Sequence, residues 1–120
     1  MTLFHGSPYD FKEIKSPATT GIVRSGEESR TINLASIFGT TDIYVAKGYA
    51  GGTGYIYELD VSAAKDLAST RMEQGKRKPK NTQRDIWVFA ETDVTIVTRW
   101  KIIPLGRNKG FSLVEDWASI

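Results

Sequence analysis

The segment GYIYELDV, Gly54 to Val61, restricts the fold of this chain more than any other. Side chains in a strand alternate between faces, which places Tyr55, Tyr57, Leu59 and Val61 on one side and Ile56, Glu58 and Asp60 on the other. The segment therefore reads as a strand with one buried face, and the rest of the chain has to supply the core beneath it. At 120 residues the chain is long enough for one hydrophobic core and too short for two, so residues 1–120 read as a single domain.

The other segments fill in a mixed α and β domain rich in short strands. Thr2 to His5, TLFH, reads as a first strand, and Asp10 to Ile14, DFKEI, as a short helix with Phe11 and Ile14 on one face. Lys15 to Ser36 turns polar around Pro17, Gly21 and Gly26, a length of loop that in compact domains is often a functional lid. Ser36 to Thr40, SIFGT, reads as a buried strand, followed by a helix over TDIYVAKGYA that Thr41 or Asp42 caps. Ser62 to Arg71 fits a helix or a turn plus strand. Asp85 to Ala90 and Val94 to Trp100 read as a hairpin around the ETD turn. The closing segment has a strand-like start, a Gly-Arg-Asn-Lys-Gly turn and an amphipathic end with Phe111, Leu113, Val114 and Trp117 set for packing.

Composition removes several classes of function. The chain is 40% hydrophobic and 25% charged, a globular balance. It has no cysteine, hence no disulfide framework, no thiolate metal site and no cysteine nucleophile. With one histidine besides, the ligand supply for zinc or another transition metal is very poor, and no metal is expected. No apolar run approaches the roughly 18 residues needed to cross a bilayer, and the N-terminus lacks the pattern of a secretory leader. The expectation is a cytoplasmic protein with no membrane partner. A net charge of +2 does not by itself argue for nucleic acid, although Gly75 to Lys80, GKRKPK, gathers four basic residues in what reads as a solvated loop.

Three local features concentrate the chemistry. His5-Gly6-Ser7 ends the first strand; Phe38 lies on the second, with Ala46 and Tyr49 on the helix after it; Asp85 opens a hydrophobic strand after KNTQR. Each alone has an ordinary structural explanation: a packed histidine, a core aromatic, a turn-capping aspartate. In this order, LFHGS, IFGTTDIYVAKGYA, YIYELDV and QRDIWVFAETDVTIV are together similar to the motifs of the ADP-ribosyltransferase superfamily of the diphtheria-toxin and poly(ADP-ribose) polymerase type. The chain most resembles the small branch typified by rifampin ADP-ribosyltransferase and the anti-CRISPR ADP-ribosyltransferases of phages. The likeness runs from about Leu3 to Val97.

The resemblance implies an α+β fold, an ADP-ribosyltransferase-like split β-sheet core with short helices, and NAD as co-substrate without a metal. It implies that His5 donates a hydrogen bond to the ribose next to nicotinamide, that the backbone of Gly6 grips the nicotinamide amide with Ser7 beside it, and that Phe38 and Tyr49 stack on the ring. The bond between nicotinamide and ribose breaks through an oxocarbenium-like state, as in glycoside hydrolysis. A carboxylate on the 2′-hydroxyl favours that charge and can orient the incoming nucleophile, a role the motif assigns to Asp85. Arg24, Arg30 or Lys47 would neutralise the pyrophosphate.

Two departures bear on turnover. Phe38 stands where the family usually has Tyr, which removes a hydroxyl and keeps the stacking face, and Asp85 replaces the usual Glu. The branch named above also uses Asp, which favours a single transfer over polymer synthesis. Glu91 is a second carboxylate candidate, placed in the ETD turn. The toxin class built on Arg, Ser-Thr-Ser and Glu-x-Glu fits worse, because the first strand carries His. The expected activity is NAD-dependent mono-ADP-ribosyl transfer to a macromolecular acceptor, protein rather than nucleic acid, in a phage or toxin effector. The alternatives are NAD hydrolysis, transfer to an RNA 2′-phosphate, or an NAD-binding module without turnover.

Overall fold

The computed structural model describes residues 1–21, 35–67 and 85–116. Two antiparallel sheets and a few short helices make an α+β fold. The first sheet has β1 (Thr2–Ser7), β3 (Tyr55–Val61), β6 (Val94–Pro104) and β7 (Phe111–Glu115) in the order β1-β3-β6-β7. The second has β2 (Ser36–Gly39), β5 (Trp87–Ala90) and β4 (Lys65–Asp66) in the order β2-β5-β4. Helix α1 spans Pro17–Thr20, α2 spans Ile43–Tyr49, and a 3-10 turn covers Glu91–Asp93. No helix among the described residues is long and apolar enough to cross a membrane.

The strand over GYIYELDV forms as its alternation predicts, but it is buried on both faces along part of its length. Tyr57, Leu59 and Val61 join Leu3, Ile37, Phe89 and Ile14 in a core between the two sheets. On the opposite face Ile56 is also fully buried, under α2, in a second core with Ala46, Ala50 and Ile102. Only Glu58 and Asp60 carry the polar half of the pattern out of the protein. The first sheet is therefore a middle layer, with α2 on one side and the second sheet on the other.

The packing of α2 depends on small residues. Asp42 caps the helix, its carboxylate accepting from the Tyr44 amide at 2.9 Å. Gly6 on β1 lies against the helix backbone so closely that a Cβ at that position would run into the Ala46 carbonyl, with its carbon at 2.6 Å. Ala46 and Ala50 present the matching small faces, which is why the helix sits directly on the strand.

Several sequence expectations are corrected. Asp10 to Ile14 is not a helix. Phe11 and Ile14 do pack on the core, yet the backbone is held from outside: the Tyr57 hydroxyl accepts from the Phe11 amide at 2.6 Å and donates to the Tyr9 carbonyl at 2.8 Å. Asp10 meanwhile pairs with the buried Arg99. The segments around ETD are not a hairpin either. β5 pairs with β2 and β4, whereas β6 pairs with β3 and β7, so the 3-10 turn carries the chain from one sheet to the other. Alternation reports which face is buried and is blind to which sheet a strand joins. Of Ser62 to Arg71 the described part, residues 62–67, holds a turn and the short β4, and residues 68–71 lie outside the described residues; the C-terminal segment is a hairpin of β6 and β7 in which Phe111 and Leu113 reach the second core while Val114 is exposed. The basic loop, most of the polar segment from Lys15 to Ser36, and Trp117 lie outside the described residues.

Candidate functional site

The edges of the two sheets meet at one point. Phe4 on β1 donates its amide to the Thr40 carbonyl at 2.7 Å and accepts from the Thr40 amide at 2.9 Å, an isolated antiparallel bridge. Past that bridge the two edges diverge, and a cavity of about 120 Å³ opens between them. His5, Gly6 and Ser7 line it from β1, Ser36, Ile37, Phe38 and Gly39 from β2, and Tyr49 from the end of α2. Tyr9, Phe11, Lys15, Pro17 and Thr20 close the remaining side. A cavity of roughly 150 Å³ accepts a benzene ring, so the space matches one flat ring with its substituents extending towards solvent.

The His5 imidazole bonds through Nδ1 to the Phe38 carbonyl at 2.7 Å. A carbonyl only accepts, so Nδ1 carries the proton and the lone pair of the neutral ring lies on Nε2. The neutral ring is thus an acceptor at Nε2, and it donates there only as imidazolium. Gly6 offers backbone. Because Phe4 turns its N–H and C=O towards Thr40, the residue two further along turns the same groups to the same side, out of the β1–β3 ladder and towards the divergence. The Ser7 hydroxyl accepts from the Tyr9 amide at 3.1 Å and so shapes the loop that follows.

Phe38 and Tyr49 both line the cavity, as the motif order implies. Tyr49 is 41% exposed and gives the site a partly open aromatic face. Lys47 points elsewhere: its ammonium sits over the Phe111 ring, 4.7 Å from the centroid, on the β7 side. Arg24 and Arg30 lie outside the described residues.

Asp85 is not among the lining residues and reaches the cavity through Thr40, which is. Its Oδ2 accepts from the Thr40 hydroxyl at 3.1 Å, the Thr41 amide at 3.2 Å and the Thr41 hydroxyl, and its Oδ1 from the Trp87 indole at 3.2 Å. Burial works to raise the pKa of this carboxyl, but the two threonine hydroxyls, the indole and the Thr41 amide outweigh it and hold it below the ordinary aspartate value. Glu91 lies in the ETD turn, as expected, and from there its carboxylate also ties that turn to the cavity rim. It accepts from the Ser16 amide at 2.9 Å and the Thr19 hydroxyl at 3.0 Å, at the start of α1, the helix that carries Pro17 and Thr20. The Ser16 amide, and then the Thr19 hydroxyl, hold the Glu91 carboxyl below its ordinary value.

Sequence reasoning missed the residues that shape the wall from behind. Tyr57 fixes Tyr9 and Phe11 from the core. Arg99, with no exposed side-chain surface, ties Asp10 and Asp116 together beneath Tyr55, its guanidinium 4.8 Å from that ring's centroid. One signal was available: a tyrosine on the apolar face of a strand needs a partner for its hydroxyl. Comparison with protein-family models, with curated proteins and with solved structures gave no match.

Proposed function

We propose that this protein binds NAD at the divergence of β1 and β2 and transfers its ADP-ribose to a macromolecular acceptor, protein before nucleic acid. The observation that carries the reading is the gathering of His5, Gly6, Ser7, Phe38 and Tyr49, from three separate elements, on one ring-sized cavity. Nicotinamide fits the space between the aromatic residues, its amide can pair with the Gly6 backbone, and a ribose hydroxyl can donate to His5 Nε2. In the transfer the bond from nicotinamide to ribose breaks, the bonding electrons leave with nicotinamide, and the acceptor's nucleophile bonds to the same sugar carbon while releasing a proton. Asp85 is assigned to the sugar and the nucleophile.

A second reading, binding without turnover, is favoured by one observation. The Asp85 carboxylate is engaged by four donors and stands one residue back from the cavity. Acting on a sugar would require it to exchange some of those donors for substrate.

Incubation with NAD labelled in the adenylate half, with a cell lysate, separates the possibilities. Label on macromolecules supports transfer, free ADP-ribose indicates hydrolysis, and intact NAD that still binds indicates the module without turnover. Full transfer by His5→Ala and Asp85→Ala variants would refute the site assignment, and absence of NAD binding by the unaltered protein would refute the reading as a whole.

A further inference from the structure

Among the described residues, no strand pairs with the outer edge of β7. The other edges differ: β1 is bridged to Thr40 and lines the cavity, β2 lines it too, and β4 is only Lys65–Asp66. The Asp116 amide donates to the Arg99 carbonyl at 2.9 Å and the Gly110 carbonyl accepts from the Leu105 amide at 3.2 Å, so the even-numbered residues of this segment bond to β6. Phe111, Leu113 and Glu115 therefore turn their N–H and C=O groups outward. Free edges in soluble proteins are usually blunted by lysine, proline or a bulge, and FSLVE carries none of these.

The same three residues share the face beneath α2. Phe111 and Leu113 pack on the second core there, and Glu115 follows by alternation, exposed and without an ion-pair partner among the described residues. Lys47, on α2, holds its ammonium 4.7 Å from the centroid of the Phe111 ring, which Tyr44 meets edge-on at 5.8 Å. The strand thus carries an anion at its C-terminal end and a cation over its N-terminal end.

We propose that β7 pairs antiparallel with β7 of a second copy of this chain, joining the two four-stranded sheets across a two-fold axis at Leu113. In that register Leu113 faces the partner's Leu113, and Phe111 faces the partner's Glu115, twice by symmetry. These are the outward-turned residues, so each facing pair exchanges both backbone hydrogen bonds. Directly opposed side chains share a face, which brings the partner's Glu115 beside Phe111 and within reach of Lys47. Any other register leaves fewer facing pairs and separates the two charges. On the opposite face Val114, 52% exposed, comes to lie across from the partner's Ser112. The cavity borders β1, at the far end of the sheet order, so the pairing stands independently of the NAD reading.

Sedimentation equilibrium of the full chain from about 10 µM to about 500 µM tests the assembly, because a small interface of this kind associates within that range. The mass should rise from 13.4 kDa towards twice that value. Glu115→Lys and Lys47→Glu each turn two attractions into two repulsions and should weaken the dimer on the order of tenfold, and the Lys47→Glu/Glu115→Lys double variant should recover most of the loss. In amide hydrogen exchange, protection of Leu113 and Glu115 should rise with protein concentration, while Ser112 and Val114, already bonded to β6, change little. A monomer throughout that range, the result expected if the edge instead takes a strand from another protein, overturns the proposal. So does a dimer that both charge reversals leave intact, or one in which the Leu113 and Glu115 amides gain no protection, since each places the contact on another surface.

Discussion

Replacing Gly6 by alanine should be among the most damaging single changes available to this fold, and for a reason separate from ligand binding. The added Cβ meets the backbone of α2: the Ala46 carbonyl group, with its carbon at 2.6 Å, and the Ala50 amide nitrogen at 3.0 Å. Comfortable carbon–carbon separation begins near about 3.5 Å, so the helix must retreat by about 1 Å. A flexible side chain would yield cheaply, but a helix backbone carries everything attached to it. Here that includes Ala46 and Ala50 and their packing on Ile56 and Ile102, all fully or almost fully buried. Overpacking a core costs about 1–3 kcal/mol, and a rigid obstacle argues for the upper end, ~3 kcal/mol. For a domain of this size that corresponds to a fall in melting temperature of roughly 12 °C.

The matched control is Gly48, which lies in α2 where an added Cβ would meet no neighbouring atom within 4 Å. Gly48→Ala removes only the helical penalty of glycine and should stabilise by about 0.5 kcal/mol, less than a mid-helix position because it is in the last turn. Urea denaturation followed by tryptophan fluorescence reads both variants, with unchanged slopes confirming that the midpoints can be compared. If Gly6→Ala lies within about 0.5 kcal/mol of the unaltered protein, the seating of α2 on β1 is wrong. If both variants lose stability equally, the loss belongs to helix propensity and not to close approach.

Two further outcomes follow from the braces around the cavity. Tyr57→Phe leaves the Tyr9 carbonyl and the Phe11 amide without their hydroxyl partner and should cost about 2 kcal/mol in the same denaturation assay, whereas a neutral result would mean that the loop does not depend on that hydroxyl. Glu91 has a folded pKa below its unfolded one, so its contribution is complete above the unfolded value and is lost as pH falls through the folded value, on the acid side of ordinary glutamate. The Ser16 amide proton should report that titration by NMR with a midpoint below ordinary glutamate, and Glu91→Gln should abolish it. A midpoint at the ordinary value would contradict the brace.

The legible part of this protein was the part written in side-chain period. Alternation in β3, the apolar strand SIFG with the capped helix after it, and the turn before Phe111 all describe local geometry, and local geometry is what neighbouring residues dictate. What escaped was decided at a distance. Phe11 and Ile14 have helical spacing, yet Tyr57, from a strand far along the chain, supplies the hydrogen bonds that a helix would have made internally. The ETD turn looks the same whether it closes a hairpin or crosses between sheets, and pairing with β2 and β3 decides the matter. Within the site, motif order placed His5, Gly6, Phe38 and Tyr49 at one cavity. Lys15 and Thr40 have no local mark, because their position depends on where two sheet edges meet.

Thr40 joins the cavity to the fold, and that coupling governs how any activity measurement should be read. Its backbone forms the bridge to Phe4, its hydroxyl donates to Asp85 and accepts from the Asp42 amide at 3.1 Å, and Asp42 caps α2. Asp85 in turn holds Thr41 and Trp87. Removing the Asp85 carboxylate therefore strikes the proposed chemistry, the closed end of the cavity and the start of α2 together. The informative variant is Asp85→Asn, which keeps the shape and an acceptor oxygen while removing the charge. Because the amide nitrogen of Asn cannot accept from the Trp87 indole, some stability is lost in either case; a catalytic carboxylate predicts a loss of transfer far larger than the change in NAD affinity or melting temperature. A purely structural one predicts that transfer, affinity and stability decline in step.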